Sequence, residues 1–487
     1  MEMNRREFLK GGLATLGFLA LPGGLWAAPA GFKPKKKPNL VFGILSDTHL
    51  MVEWDGKSLY RSMKLDYVRN AFKLFKQRNI DAFVHLGDAS HRGCVREWEF
   101  HKELFEEVFG KSGGPEKIIV VGNHELYGNE GHCREVYRDP AVWAANAICA
   151  DLPRHYERTW GEPYAEVMHK EIKGYHFFFR HWNANEGQGA GESPFADYIL
   201  SKSGECSLGG TKPFFVLSHR RHHYHFFQSL KDYPNAIGFL GHWHISNADW
   251  KTIIYDWHTF GGFFPNIQVA ACRYDGQNEL DTFERMLKND AGHGTCKYPS
   301  RQAMVVNVYD DFVIFERHEV GEGGKLGPDW VLPLGSFNPH PFSREELAKA
   351  IGTPEFPKKA KLVVECCQCE NVAKSNANNQ LGIGAGNGNN STMATLTIKI
   401  PLADGNPDSR AYAYDVVVMG DDPKNRLFKS AYFEGCNLGI GHDPDKGITR
   451  VDIPVSELPE GKKLTVAVRP VSSLGTKGKT IGTTWRA

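Results

Sequence analysis

Five short motifs hold the residues of this chain that are best suited to chemistry. In chain order they are Asp47-Thr-His49, Gly87-Asp88, Gly122-Asn123-His124-Glu125, His219 and Gly241-His242-Trp-His244. Each alone is a weak signal, because Asp-x-His or Gly-Asp often only caps a turn. Together they supply carboxylate, imidazole and amide groups, which divalent metals bind in proteins. The candidate ligands are Asp47, His49, Asp88, Asn123, His219, His242 and His244.

The residue types indicate a centre with two metals that acts on phosphate esters. Two divalent metals about 3.5–4 Å apart can clamp a phosphoryl group and generate hydroxide at neutral pH. A shared carboxylate would hold that spacing, and imidazole and carboxylate ligands suit Mn, Fe or Zn. Because several ligands are neutral, the centre keeps a positive charge that attracts phosphate and lowers the pKa of bound water.

A short apolar strand precedes each of the five motifs. The runs are 39–45, 82–86, 117–121, 214–217 and 236–240. Between the first three, residues 59–79 and 98–109 carry apolar side chains at helical spacing. Strands that alternate with helices predict an α/β domain, in which ligands bind beyond the carboxyl ends of the strands. We therefore expect the five strands to bring the motifs to one crevice.

With these motifs in this order, residues 39–245 resemble the calcineurin-like metallophosphoesterase superfamily. The resemblance implies a two-sheet β-sandwich flanked by helices. It also implies hydrolysis of a phosphate mono- or diester by a hydroxide that bridges two metals, without a covalent enzyme intermediate.

The same resemblance implies a role for each candidate ligand. The first metal would be bound by Asp47, His49 and His244. The second would be bound by Asn123, His219 and His242. Asp88 would bridge both metals, and His124 would act beside the leaving oxygen as general acid or charge stabiliser.

One segment, Gly87–Gly93, is similar to the Gly-Asp-x-x-Asp-Arg-Gly box of the Ser/Thr phosphatase branch. Arg92 matches the phosphate-binding Arg of that box. His91 replaces the Asp that orients the catalytic His there, so the carboxylate partner of His124 is open; Glu125 is adjacent to it in sequence. No Tyr stands at the iron-ligating position of purple acid phosphatases, which disfavours that branch.

The segment 126–212, rich in Trp, Tyr, His and Gly, is predicted to build the substrate pocket. It favours a substrate with an organic body, such as a nucleotide, a phospholipid-derived ester or a sugar phosphate. His181-Trp182-Asn183 can line this pocket or pack, and Arg220 and Arg221 can hold a phosphate. Packing is the preferred interpretation for the remaining aromatic neighbours, namely His222, His223, His225 and Trp243.

The chain divides into five predicted parts. Residues 1–30 form a signal, 31–38 a basic linker, 39–335 the catalytic domain and 336–361 a Pro-rich linker. Residues 362–487 show period-2 strands without helices, which predicts a β-sandwich that loosely resembles fibronectin type III.

The N-terminus predicts export. Arg5 and Arg6 precede an apolar stretch and the small-x-small site Ala28-Pro29-Ala30, a pattern similar to a twin-arginine signal. We expect the twin-arginine machinery to deliver the protein to the periplasm or outside the cell. The ten cysteines could form disulfides there, with a connectivity that the sequence does not give.

Composition excludes several classes of protein. With 41% hydrophobic residues the 487-residue chain can bury sizeable cores, and its net charge of +1 gives no nucleic-acid signal. No stretch is long and apolar enough to span a membrane.

The leading hypothesis is an exported phosphoesterase for small phosphate esters. The alternative is a non-catalytic cell-surface or glycan-binding protein that uses the C-terminal domain. Oligomeric state is left open.

Overall fold

The protein is described from a computed structural model. It describes residues 19–20, 26–27, 34–54, 59–61, 66–126, 137, 139–182, 194–220, 222, 224–242, 244, 247, 253–254, 264–272, 301–321, 325, 329–334, 352–368, 394–401, 403, 406, 411, 413–422, 424–432, 448–472 and 476–486. Most of the predicted signal lies outside this set. The described residues fall in two compact units, which divide between Leu347 and Ala348.

The first unit contains sixteen described strands and six described α-helices. The strands are β1 (Leu19–Ala20), β2 (Trp26–Ala27), β3 (Leu40–Leu45), β4 (Val52–Trp54), β5 (Leu59–Arg61), β6 (Ala82–His85), β7 (Glu116–Ile119), β8 (Val167–Ile172), β9 (Tyr175–Arg180), β10 (Phe214–Ser218), β11 (Ala236–Leu240), β12 (Ile253–Ile254), β13 (Asn266–Gln268), β14 (Gln302–Val308), β15 (Phe312–Glu319) and β16 (Trp330–Pro333). The helices are α1 (Asp66–Gln77), α2 (Val95–Phe109), α3 (Pro140–Asn146), α4 (Leu152–Trp160), α5 (Pro194–Ser201) and α6 (Tyr224–Ser229). A 3₁₀ turn covers Ile148–Ala150.

Two large sheets carry this unit. The first sheet has the order β1-β2-β16-β15-β14-β3-β6-β7, and its strands β3, β6 and β7 are parallel. The second sheet has the order β12-β13-β11-β10-β9-β8, and its strands β9, β10, β11 and β13 are parallel. Parallel neighbours end at the same edge, so each sheet presents several carboxyl ends together.

Aromatic side chains join the two sheets face to face. The ring of Phe42 on β3 lies 5.3 Å from Phe177 on β9 and 4.9 Å from Phe215 on β10. Phe239 on β11 extends the contact to Phe315 on β15. Edge-to-face rings at this spacing add to the burial of apolar area. The two sheets thus form a sandwich with an aromatic core, as the resemblance implied.

Helices cover the outer face of the first sheet. Helix α1 buries Val68, Phe72 and Phe75, which recur at helical spacing. Helix α2 packs beside it, with Phe105 edge-on to Phe72 at 5.5 Å. The helix predicted from residue 59 begins later, at Asp66, after the short strand β5. An acidic residue in the first turn suits the positive end of the helix.

The second unit is all β among its described residues, apart from one 3₁₀ turn at Val455–Glu457. Its strands are β17 (Val363–Gln368), β18 (Ala394–Pro401), β19 (Ala413–Met419), β20 (Arg426–Tyr432), β21 (Ile448–Pro454), β22 (Lys463–Val471) and β23 (Ile481–Arg486). They form antiparallel sheets of three and four strands, β17-β18-β21 and β20-β19-β22-β23. Alternate residues of both sheets enter one core, for example Ile398, Val416 and Val466. The predicted fold class, α/β followed by all-β strands, is confirmed.

No described helix is long and apolar enough to cross a membrane.

Candidate metal centre

The seven candidate ligands meet where strands from both sheets end. Three of their segments follow β3, β6 and β7 in the first sheet, and two follow β10 and β11 in the second. All five strands reach this edge with their carboxyl ends. The predicted crevice therefore lies between two sheets rather than along one.

Asp47, His49 and His244 form the first group of ligands. The Nε2 atoms of His49 and His244 lie 3.3 Å apart, and His244 Nε2 lies 3.1 Å from Asp47 Oδ1. All three residues are buried. Burial alone would raise the pKa of Asp47, but the His244 charge and hydrogen bond outweigh it and lower the pKa well below its usual range. An ionised carboxylate and two imidazole nitrogens thus converge on one point.

Asn123, His219 and His242 form the second group, with Asp88 beside it. His219 Nδ1 donates to the carbonyl of Leu86 at 2.8 Å, which fixes the tautomer. Its Nε2 then faces only acceptors, Asn123 Oδ1 at 2.9 Å and Asp88 Oδ2 at 3.2 Å. Such a set of converging lone pairs fits a cation.

The pKa shifts of two histidines in this second group are also consistent with a bound cation. Burial lowers the pKa of His219, but the charge of Asp88 and the hydrogen bond to it raise the pKa to about 9. The surroundings of His219 Nε2 therefore favour a positive charge. Burial, with the His219 charge, lowers the pKa of His242 to about 4, so this imidazole is a neutral ligand at pH 7.

Asp88 lies between the two groups. Its Oδ2 is 3.2 Å from His219 Nε2 in the second group and 3.8 Å from His49 Nε2 in the first. One carboxylate oxygen is thus near candidate ligands of both groups, as a bridging ligand would require.

The backbone of the ligand loops is strained. Five ligands have a positive φ, namely Asp47 (52°), His49 (43°), Asp88 (55°), His242 (73°) and His244 (50°). Non-glycine residues rarely adopt this conformation, and it persists where the surroundings impose it, most often at functional sites. Gly87 has a φ of 100°, and a Cβ there would lie 2.6 Å from His219 Nδ1. The glycines of the motifs thus let the ligand loops approach each other.

Two buried glutamates shape these loops, and the sequence prediction missed both roles. Glu125 accepts from the backbone N–H groups of Asp88, Ser90 and Gly122, and from the indole of Trp98. Burial and the nearby Asp88 charge raise its pKa to about 7. Glu125 therefore holds the loop that carries Asp88 and does not pair with His124.

Glu97 does the same for the next part of that loop. Its carboxylate accepts from the N–H groups of Val52, His91 and Arg92 and from the Ser90 hydroxyl. It stands three residues after Cys94, the N-cap of α2, in a capping box. The Cys-x-x-Glu spacing at the start of this helix could have indicated the role of Glu97 from the sequence.

The partner of His124 is a backbone carbonyl. His124 Nδ1 donates to the carbonyl of His91 at 2.9 Å, and the two rings stack at 5.3 Å. His91 also places its Nδ1 3.4 Å from Nδ1 of the ligand His49. The main chain at position 91 thus orients His124, whose Nε2 lies 3.9 Å from Asp88 Oδ2.

The structure places Arg92 on the same loop, partly buried. Its guanidinium Nη1 donates to the carbonyl of Val52 at 3.5 Å. Within the described part of the chain, no contact joins this guanidinium to a candidate metal ligand.

Trp182 and Arg220 lie beside the second group. The indole of Trp182 is 5.5 Å from the His242 ring, and the Arg220 guanidinium is 5.2 Å from the indole. His181, by contrast, is buried and accepts from the N–H of Val121, so it supports β7. His222 stacks on Phe226 at 3.9 Å. Asn183, Arg221, His223 and Trp243 lie outside the described residues.

Among the described cysteines, Cys206, Cys272 and Cys366 carry free thiols. These three therefore form none of the disulfides that the sequence allows.

The sandwich and its two ligand groups define the class of a dinuclear metallohydrolase. The sequence model of the calcineurin-like phosphoesterase family matches residues 40–246. The chain thus carries a calcineurin-like phosphoesterase domain, and it is a metal-dependent phosphoric ester hydrolase. Proteins of this family use dinuclear metal centres, and small phosphate esters are the substrates that this activity implies.

Similar folds occur among solved structures. A dimetal phosphatase from Danio rerio is 10% identical over 61% of this chain and 99% of its own, with a TM-score of 0.34. GAP50, titled the anchor in the inner membrane complex of Plasmodium, is 13% identical over 61% and 89%, with a TM-score of 0.34. Purple acid phosphatase PPD1 from yellow lupin is 12% identical over 62% and 55%, with a TM-score of 0.39. At these TM-scores the similarities do not contribute to the assignment of an activity. No curated protein matches the sequence.

Proposed function

We propose that this protein hydrolyses small phosphate mono- or diesters at a centre of two metal ions, each Mn, Fe or Zn. Asp47, His49 and His244 hold the first ion. Asn123, His219 and His242 hold the second, and Asp88 bridges them. When bound, the two ions neutralise the phosphoryl oxygens and lower the pKa of the attacking water.

One observation carries the proposal: two groups of converging lone pairs share one carboxylate. Asp88 Oδ2 lies near His49 Nε2 and His219 Nε2, while each histidine also faces further acceptors of its own group. Acceptors that face acceptors repel one another unless cations or protons lie between them. A shared carboxylate accounts for a pair of ions rather than one.

Two further residues act on the substrate in this proposal. His124 Nδ1 donates to the His91 carbonyl, so Nε2 is the nitrogen left to exchange a proton with the leaving oxygen. Arg92 binds a phosphoryl oxygen through its guanidinium, which pairs well with phosphate.

The organic part of the substrate lies against Trp182. This indole borders the second group of ligands, and the Arg220 guanidinium is near its ring. An aromatic face suits a flat or apolar leaving group, and this favours nucleotide or other ring-bearing esters over simple alkyl phosphates.

The test is an assay of the metal-loaded protein on p-nitrophenyl phosphate and bis-p-nitrophenyl phosphate, separately with Mn, Fe and Zn. Asp88→Asn should lower kcat/KM by about 100-fold or more, because the shared ligand is lost. His124→Ala should lower kcat by about 100-fold, with a larger loss for poor leaving groups. Asp66→Asn, an exposed carboxylate at the start of α1, is the matched control and should have no effect.

Failure to hydrolyse either ester with any of the three metals would overturn the proposal. Full activity in Asp88→Asn would overturn the bridge alone. Metal content separates the two cases, because two ions per chain are expected at this centre in the wild type.

We also propose export to the periplasm or beyond by the twin-arginine machinery, from the sequence pattern around Arg5 and Arg6. A reporter fused to residues 1–30 should leave the cytoplasm. The pair Arg5→Lys and Arg6→Lys should retain it there, and unchanged export would contradict this route.

A further inference from the structure

A cluster of two histidines and a cysteine lies outside the metal centre. His169 is on β8, His176 on β9, and Cys206 follows α5. His169 Nε2 is 3.1 Å from His176 Nδ1, and Cys206 Sγ is 3.9 Å from His169 Nε2. One ligand atom of each residue lies within 4.8 Å of the other two. We name these three residues the hairpin cluster.

The hairpin fixes the two imidazoles on one face of the sheet. In the β8–β9 register His169 pairs with Phe178 and Glu171 pairs with His176, so both histidines point the same way. Lys173 and Gly174 make the connecting turn with φ of 53° and 75°, as a tight two-residue turn requires. The His169 ring also stacks on Phe178 at 4.6 Å. Two ligand positions are therefore set by rigid elements.

The hairpin cluster lies far from the phosphoesterase centre. His176 is near the start of β9, whereas Trp182, which borders the centre, follows the end of that strand. Six residues of extended chain span roughly 20 Å. None of the three residues is among the seven candidate ligands.

The protonation states of the two histidines suit metal binding. Burial lowers the pKa of both histidines, and the charge of His176 lowers the pKa of His169 further, so both are neutral at pH 7. Glu171 and Glu205 lie close enough to favour positive charge there.

The spacing of the ligand atoms matches one ion. Zinc binds imidazole nitrogen at about 2.0–2.1 Å and thiolate sulfur at about 2.3 Å in a tetrahedron. That geometry needs a separation of about 3.4 Å between nitrogens and about 3.6 Å between nitrogen and sulfur. The observed 3.1 and 3.9 Å differ by a few tenths of an ångström. Two imidazoles with one thiolate select zinc-like ions over magnesium or calcium.

We propose that His169, His176 and Cys206 bind a further zinc-class divalent cation, which ties the β8–β9 hairpin to the segment after α5. This site is independent of the phosphoesterase reaction.

Cobalt(II) titration of the metal-free, full-length protein tests the proposal. A thiolate ligand gives cobalt a sulfur-to-metal charge-transfer absorption in the near ultraviolet. The phosphoesterase centre cannot produce it, because its ligands are nitrogen and oxygen atoms. The absorption should saturate in the wild type at the intensity of one cobalt–thiolate site per chain, within the three equivalents of cobalt that this site and the phosphoesterase centre bind together. It should vanish in Cys206→Ser and persist in Asp88→Asn, and Cys366→Ser, an exposed thiol in the second unit, should retain it as the matched control.

A second variant, His176→Gln, tests the site even if Cys206→Ser does not fold. His176→Gln keeps the thiol and should weaken cobalt binding at this site by about 10-fold or more. Zinc analysis of the protein should show one equivalent fewer in Cys206→Ser, with phosphoesterase activity retained. Four outcomes would each overturn the site: no absorption in the wild type, absorption that persists in Cys206→Ser, absorption that is unaffected in His176→Gln, or absorption that grows without saturation.

Discussion

At the scale of single residues, the loops of the candidate metal centre are held by groups that are not themselves candidate ligands. Glu125 receives two N–H donors on each carboxylate oxygen, from Ser90 and Trp98 on one and from Asp88 and Gly122 on the other. Because each carboxylate oxygen faces two N–H donors, both oxygens must accept hydrogen bonds. The position of Asp88 is therefore tied to the charge and shape of Glu125.

Glu125→Gln should disturb that arrangement although it keeps the shape. Whichever way the amide is turned, its NH₂ meets two N–H donors, so two buried hydrogen bonds are lost. We expect metal affinity to fall about 10- to 100-fold, with activity partly restored by excess metal. Metal titration followed by activity measures both quantities. Glu99→Gln, on the surface of α2, should change neither, and wild-type affinity in Glu125→Gln would show that the loop does not need the carboxylate.

Trp182 tests the substrate preference at the same scale. Trp182→Leu removes the aromatic face beside His242 and keeps an apolar side chain. We expect KM for aryl phosphates to rise about 5- to 10-fold, since an aromatic pair contributes about 0.5–1.5 kcal/mol. Alkyl phosphates should be unaffected. Equal losses for both ester types would indicate a role in holding His242 rather than in binding the leaving group.

At the scale of secondary-structure elements, the strands that carry the site could be predicted closely. The apolar runs at 39–45, 82–86 and 236–240 end within about one residue of β3, β6 and β11. These strands are buried on both faces, so the sequence shows an uninterrupted apolar run. Strand β8 (VMHKEI) was missed because it lies at an edge and is half exposed, which leaves a mixed pattern. Helices α3 to α6 were missed because six to nine residues give too few turns to establish a period.

The ligand geometry could be predicted only through the family resemblance. Sequence order shows which strand precedes each ligand, but not which two sheets meet at the centre. The hydrogen bond from His124 to the His91 carbonyl could not be predicted either. Every residue has a backbone carbonyl, so the sequence does not show which one accepts a given hydrogen bond.

A charged link between α1 and the first sheet gives a prediction for pH. Burial would raise the pKa of Glu316 on β15, but the His318 hydrogen bond and the charges of Arg78 and Lys325 lower it to about 2 from 4.5. A pKa below the unfolded value stabilises the fold above pH 4.5, and the stabilisation is lost as pH falls from about 4.5 to about 2. Glu316→Gln should therefore reduce stability by about 2 kcal/mol at pH 6 and by little near pH 2.

Urea unfolding of the wild type and Glu316→Gln between pH 6 and pH 3 measures this difference. Glu107→Gln breaks an exposed pair with Arg69 instead, and should cost less than about 1 kcal/mol at every pH. A constant difference between wild type and Glu316→Gln across the range would contradict the assigned pKa.

At the scale of the whole molecule, the described residues form separate cores in the two units. The first unit buries its aromatic sandwich and the face under α1 and α2, and the second unit buries its own set around Leu396 and Val466. Every candidate metal ligand belongs to the first unit. A cation that binds only the folded state stabilises that state by mass action, about 4 kcal/mol when it exceeds its Kd 1,000-fold.

Calorimetry of the full-length protein should therefore resolve two unfolding transitions that respond differently to chelation. Removal of metal should lower the first unit's Tm by roughly 5–10 °C and leave the second unit's in place. Leu396→Ala, which truncates a fully buried side chain, should lower the second Tm alone, at a cost of about 2–5 kcal/mol. The two changes together identify each transition. An equal shift of both transitions on chelation would mean that the units unfold as one. Metal bound to the first unit can stabilise the second unit only if the two unfold cooperatively.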